Sequence, residues 1–66
     1  MQRQDYIEKI AAFIADGWYA ADEGNQLACK AAKHNAMQIA SQAAEDLGHT
    51  VGYWLAESQF RAADLY

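Results

Sequence analysis

The chain is 66 residues and 7.3 kDa, enough for one domain spanning 1–66 and too short for a second. Alanine fills 15 positions and proline none, the AVILMFWYC share is 53%, and nine acids against five bases leave a net charge of −4. That balance argues against a disordered acidic tail and against a basic nucleic-acid-binding surface.

The first element is a helix from about residue 3 to about 22. Ile7, Ile10, Ile14, Gly17 and Ala21 recur at helical spacing, and Tyr6, Phe13 and Trp18 widen the stripe. Asp5, Glu8, Lys9, Ala12 and Asp16 make the opposite face, with Asp5 and Lys9 placed for an i,i+4 ion pair. Gly17 reads two ways: it ends the helix, or it lies inside it where another backbone comes close. The segment Asp22-Glu23-Gly24-Asn25 is the clearest break. Gly24 suits the end of one helix, and Asn25 suits the cap of the next.

The second helix covers about 26 to 47. Its expected inner stripe is Ala28, Ala32, Ala36, Ile39, Ala43 and Leu47. Gly48-His49-Thr50 supplies the next stop and start. The third helix covers about 51 to 65. One apolar edge is Val51, Trp54, Leu55, Ala62 and Leu65; another is Tyr53, Ala56, Phe60 and Ala63. Glu57 and Arg61 are spaced for an i,i+4 pair beside Asp64.

All eight aromatic residues lie outside positions 20–52, so the middle helix is slender and its neighbours are bulky. Large side chains entering shallow alanine grooves are a way for helices to interdigitate. The expected fold is therefore all-α: a small three-helix bundle, or an extended helical hairpin, around an alanine-rich central helix. Short linkers favour antiparallel neighbours. A chain of this size buries only about 60% of the surface it exposes unfolded, so a lone monomer is marginal.

Catalytic and metal chemistry find little footing. Glu45 and His49 are four apart, but two ligands fall short of the usual four, and a cation just past a helix end already suits the dipole. Cys29 borders the inner stripe and reads as packing, although Lys33 four residues on would favour its thiolate. Neither glycine-rich phosphate loop nor catalytic triad is evident. The reading is non-enzymatic, with no cofactor and no metal. The lone cysteine fits a reducing, cytoplasmic setting. The start MQRQDYIEK lacks an apolar signal core, and no apolar run is long enough to span a membrane.

Two features break local rules, and such places are where binding or assembly is sought. Lys30 and Lys33 lie toward the positive end of the second helix, while Glu45 and Asp46 lie in its negative last turn. In a helix 1–helix 2 hairpin Asp16 faces Lys30. In an antiparallel homodimer of the second helix, Lys30 and Lys33 meet Asp46 and Glu45 of the other copy. The second feature is the adjacent aromatic pairs Trp18-Tyr19 and Tyr53-Trp54. One member of each is expected at the surface, with Tyr19, Trp54 and Tyr66 the foremost candidates.

In size, charge and lack of catalytic groups, the chain is similar to small acidic inhibitors made by phages and mobile elements, such as anti-CRISPR or anti-activator proteins. The likeness is one of composition and assigns no residue a role. It implies a protein partner, with a host nucleic-acid-binding protein the natural target of an acidic surface. The alternatives are a structural subunit acting through homo-oligomerisation, and a weak nucleic-acid binder using Lys30, Lys33 and Arg61.

Overall fold

The computed structural model describes residues 1–66 as three helices and no strand: α1 Arg3–Asp22, α2 Gln26–Leu47 and α3 Val51–Leu65. At ~1.5 Å per residue α2 is about 33 Å long, and the molecule measures 34 × 21 × 17 Å. The chain runs up, down and up. Gly17 of α1 faces Cys29 and Ala32 of α2, and Tyr6 reaches Asp46, so α1 and α2 are antiparallel. Glu8 meets Arg61, and Trp18 meets Tyr66, so α1 and α3 are parallel.

Local chemistry explains each boundary. The Gln2 N–H donates to the Asp5 carboxylate at 3.2 Å, which tethers the first turn of α1. Gly24 takes φ +75°; its N–H donates to Ala21 O and that of Asn25 to Ala20 O. This left-handed closure satisfies carbonyls that the helix end would strand, and it suits a residue without Cβ. The Asn25 side chain then accepts from Ala28 N at 3.0 Å, and Thr50 Oγ1 accepts from Tyr53 N at 3.1 Å.

The main core joins Tyr6, Ile7 and Ile10 of α1 to Ala36, Ala40 and Ala43 of α2 and Trp54 of α3. A second cluster, Ala11, Ala15 and Ala62, holds α3 against α1 with Ile14 and Trp18 at its edge. Bulky rings do meet the alanine face of α2, yet that face is turned in part from the expected one. Its buried residues are Ala32, Ala36, Ala40 and Ala43, while Ala28 and Leu47 are exposed and Ile39 sits on the flank. Ala28 lies in the first turn of α2, at the hairpin end and well before Ala32, the first buried residue of the helix.

Gly17 lies inside α1 and is buried. A Cβ there would stand 3.5 Å from Ala32 Cβ, so α1 and α2 cross closely at this point. Ser58, passed over in the apolar pattern, is fully buried and donates to Trp54 O at 2.6 Å. A hydroxyl satisfied by the carbonyl four residues back enters a core without an orphaned polar group.

Both expected intrahelical ion pairs are replaced by other partners. Asp5 serves the α1 cap. Arg61 Nε donates to both Glu8 oxygens, at 2.9 and 3.1 Å, and Glu57 sits 3.6 Å from Arg3. A neighbouring helix offers a second charged row, and one Arg61 Nε–H is shared by both Glu8 oxygens while Nη1 stands 3.7 Å from Asp64.

Candidate docking groove

Where α2 and α3 separate over α1, an open groove of about 240 Å³ remains. Its floor is Ile14, Gly17 and Trp18 of α1. Ala36, Met37 and Lys33 form one wall, and Leu55 and Gln59 of α3 form the other. The gap has a simple origin. The α2 residues at this level are small or flexible, and the ring that would fill it, Trp18, leans toward Tyr66 in an edge-to-face contact at 5.5 Å.

Tyr66 draws the nearby aromatics into one flank. Its ring lies 4.8 Å from that of Tyr19, whose hydroxyl donates to Tyr66 O. Tyr19 and Tyr66 are each 47% exposed, and Met37 is 53% exposed. Lys33 continues from the groove into a shallow depression at the hairpin tip, lined by Lys30, Cys29 and Gly24. Neither lysine makes an ion pair; in particular, no Asp16–Lys30 contact forms. Arg3 and Arg61 are both paired. Lys33 is the one charged side chain lining the groove.

The nine residues singled out in the sequence divide between the two ends of the bundle. Trp18, Tyr19, Tyr66, Lys30 and Lys33 lie at the hairpin end, where Trp18 and Lys33 line the groove and Lys30 the adjoining depression. Tyr53, Trp54, Glu45 and Asp46 lie at the other end. Trp54 is 1% exposed, the largest side chain of the core, with its Nε1 donating to Gly48 O at 2.8 Å. It cannot anchor a partner while folded. Tyr53, half-buried, accepts from Arg3 at 3.1 Å and carries the His49 ring stacked 4.0 Å away. His49 itself sits at φ +67° just past α2.

Asp46 has an intramolecular role that the dipole argument overlooked. Tyr6 Oη donates to it at 2.7 Å, and the Met1 ammonium stands 3.4 Å away. The Tyr6 hydrogen bond, aided by that ammonium, holds the Asp46 carboxyl below its ordinary value against a smaller opposing effect of desolvation. Lys33 faces the groove on the α3 side, and Asp46 faces Tyr6 on the α1 side. Thirteen residues at ~100° each put them about 140° apart around α2. Arg61 pairs with Glu8 and Asp64, whereas Lys30 and Lys33 have no ion-pair partner.

Met37, Leu55, Gln59 and Ile14 were not marked in the sequence as site residues. Met37 carried a signal, being an apolar side chain four residues beyond Lys33 on a polar face. The others are defined by where α3 leaves α2. The structure brings together no group of three His, Cys, Asp or Glu side chains that would hold a metal, and no helix is long and apolar enough to cross a membrane. The chain matches no family model, no curated protein and no solved structure at a significant level.

Proposed function

We propose that the chain is a non-enzymatic protein-binding module, and that it docks a partner through the groove between α2 and α3. The observation that carries this reading is the pairing of an apolar floor with an unpaired lysine, Lys33, in its wall, and a second unpaired lysine, Lys30, in the adjoining depression. The matching partner element presents an apolar side chain flanked by carboxylates. Burial of that side chain against Trp18 and Met37 supplies affinity, and Lys30 and Lys33 set its orientation. An inhibitor that occupies a host protein's surface is the biological form we favour, in keeping with the size and charge of the chain.

The acids favour this choice over a basic partner. Glu8, Asp46, Glu57 and Asp64 are in ion pairs, and Asp5 caps α1. The remaining acids, Asp16, Asp22, Glu23 and Glu45, are divided between the hairpin end and the opposite end of α2, so no wide acidic face is left.

The test uses parallel affinity captures from host lysate with the parent chain, Met37→Asp and the double variant Lys30→Glu with Lys33→Glu. A partner held by the parent and lost by both variants, with helix content unchanged by circular dichroism, is the expected result. Recovery of the same proteins by all three baits would remove the groove from consideration.

A further inference from the structure

The outward face of α3 is a second apolar surface, which borders the groove at Gln59. Trp54, Ser58 and Ala62 point into the bundle. On the opposite side lie Ala56, Phe60 and Ala63, preceded by Tyr53, which is half-buried against the core, at spacings of three, four and three residues. That is the spacing of a helix–helix seam. Phe60 is 77% exposed, the most exposed ring of the chain, and Ala56 and Ala63 are exposed beside it. Phe60 is absent from both core clusters and their edges, so folding of the monomer does not explain it.

We infer that this face of α3 binds the same face of a second copy, antiparallel and about a two-fold axis. The face is self-complementary in size. In an antiparallel pair whose facing residue numbers sum to 116, Phe60 meets Ala56 of the other copy and Tyr53 meets Ala63. Each large side chain then faces a small one, twice over by symmetry. A parallel pair would set Phe60 against Phe60 and Tyr53 against Tyr53, leaving the alanine layers underfilled. The flank of the seam is equally compatible. Of the two acids of α3, Glu57 is paired with Arg3, while Asp64 shares Arg61 with Glu8, so two copies of a chain of net charge −4 approach with one α3 acid balanced and the other partly so. The other flank is Gly52 and Gln59, both uncharged. A Cβ on Gly52 would meet only Thr50 Oγ1, at 3.8 Å, so nothing inside the chain excludes a side chain there. Its absence leaves room for a neighbouring helix to come close.

The size of the contact sets its strength. At ~1.5 Å per residue α3 offers about 22 Å of helix, a small footprint beside the ~1,200 Å² at which stable specific interfaces begin. The dimer is therefore concentration-dependent and exchanges with monomer.

Sedimentation equilibrium of the full chain, from about 1 μM to about 1 mM, reads this directly. The parent is expected to pass from monomer to dimer. Phe60→Ala removes two symmetry-related rings and should weaken association by roughly a hundredfold, with helix content unchanged. Ala63→Lys, which leaves Phe60 in place, should weaken it by at least about tenfold. Ala56→Phe should also weaken it by setting ring on ring, and combining it with Phe60→Ala should restore the dimer by exchanging large for small. A parent that stays monomeric throughout, or a Phe60→Ala protein that dimerises like the parent, overturns the inference. Failure of the exchange variant overturns the antiparallel register. Loss of dimer in Met37→Asp but not in Phe60→Ala would place self-association in the groove instead, and would count against both this inference and the partner assigned to the groove.

Discussion

The two ends of the bundle are made from similar helices and finish very differently. At the end where α2 turns into α3, Trp54 is sealed among Tyr6, Ile10 and Ala43, and its ring N–H is satisfied by Gly48 O. At the hairpin end, Trp18 is half-buried, Met37 is exposed and a groove stays open. Alanine is plentiful at both. The difference lies in which ring faces the alanine. One end has a ring aimed between α1 and α2, and the other has a ring drawn sideways to Tyr66. An alanine-rich helix thus packs only where a neighbour brings bulk to it, and elsewhere leaves a recess open to a partner.

Trp54→Ala should break this contrast most severely. Emptying a ring-sized space at a fully buried site costs about 3–5 kcal/mol, a large share of what a 66-residue chain has to spare. Denaturant unfolding should show the variant mostly unfolded near room temperature. Trp18→Ala, at the open end, should cost less than half as much. Equal losses at the two tryptophans would mean that the groove end is as tightly packed as the other.

The next test concerns the face of α2. Ala40 is fully buried and Ala28 is exposed. Ala40→Leu should destabilise by about 1–3 kcal/mol through overpacking, whereas Ala28→Leu should stay within about 0.5 kcal/mol. The reverse order would put the buried stripe where the sequence alone suggested it.

That stripe shows how far the sequence was legible. The three helices and their ends follow from Gly24, Asn25, Gly48 and Thr50, because caps and left-handed glycines act within a few residues. The facing of α2 follows only in part: Ala32, Ala36 and Ala43 are buried as expected and Ile39 packs at the core's edge, but Ala40 is buried in place of Ala28 and Leu47. A helix of alanines with scattered amides has a weak apolar direction, so Ala28 and Leu47 look as eligible as Ala40. The aromatic pairs were half legible: adjacency requires one of Tyr53 and Trp54 to turn outward, but only the packing decides that Trp54 turns in. Charge pairing was the least legible. Asp46 and Arg61 find partners forty and more residues away, which no i,i+4 rule reveals.

Gly17 offers a gain rather than a loss. Its Cβ position has ordinary contact distances, 3.5 Å to Ala32 Cβ and 3.8 Å to Cys29 O. Gly17→Ala should therefore stabilise by about 0.5–1 kcal/mol through helix propensity, read as a raised denaturant midpoint. A lowered midpoint would show that the α1–α2 crossing depends on the missing methyl.

The smallest effect lies at the closed end and is best seen as pH dependence. The Tyr6 hydrogen bond holds Asp46 below its ordinary 3.8, and the same bond, with desolvation next, raises Tyr6 above its ordinary 10.0. A carboxyl depressed by folding stabilises fully above 3.8 and loses that contribution as pH falls through the lower folded value. A phenol raised by folding contributes fully below 10.0 and loses it as pH rises through the higher folded value. Tyr6→Phe removes the bond on both sides while keeping the ring against Trp54. The stability difference between parent and variant should be flat in between and shrink toward either extreme. Because the Asp46 side chain is 44% exposed, solvent screening keeps that difference small. A gap that stays constant down through the acid limb would show that Tyr6 acts there by packing alone, and that the closed end owes its seal to the rings rather than to the bond between Tyr6 and Asp46.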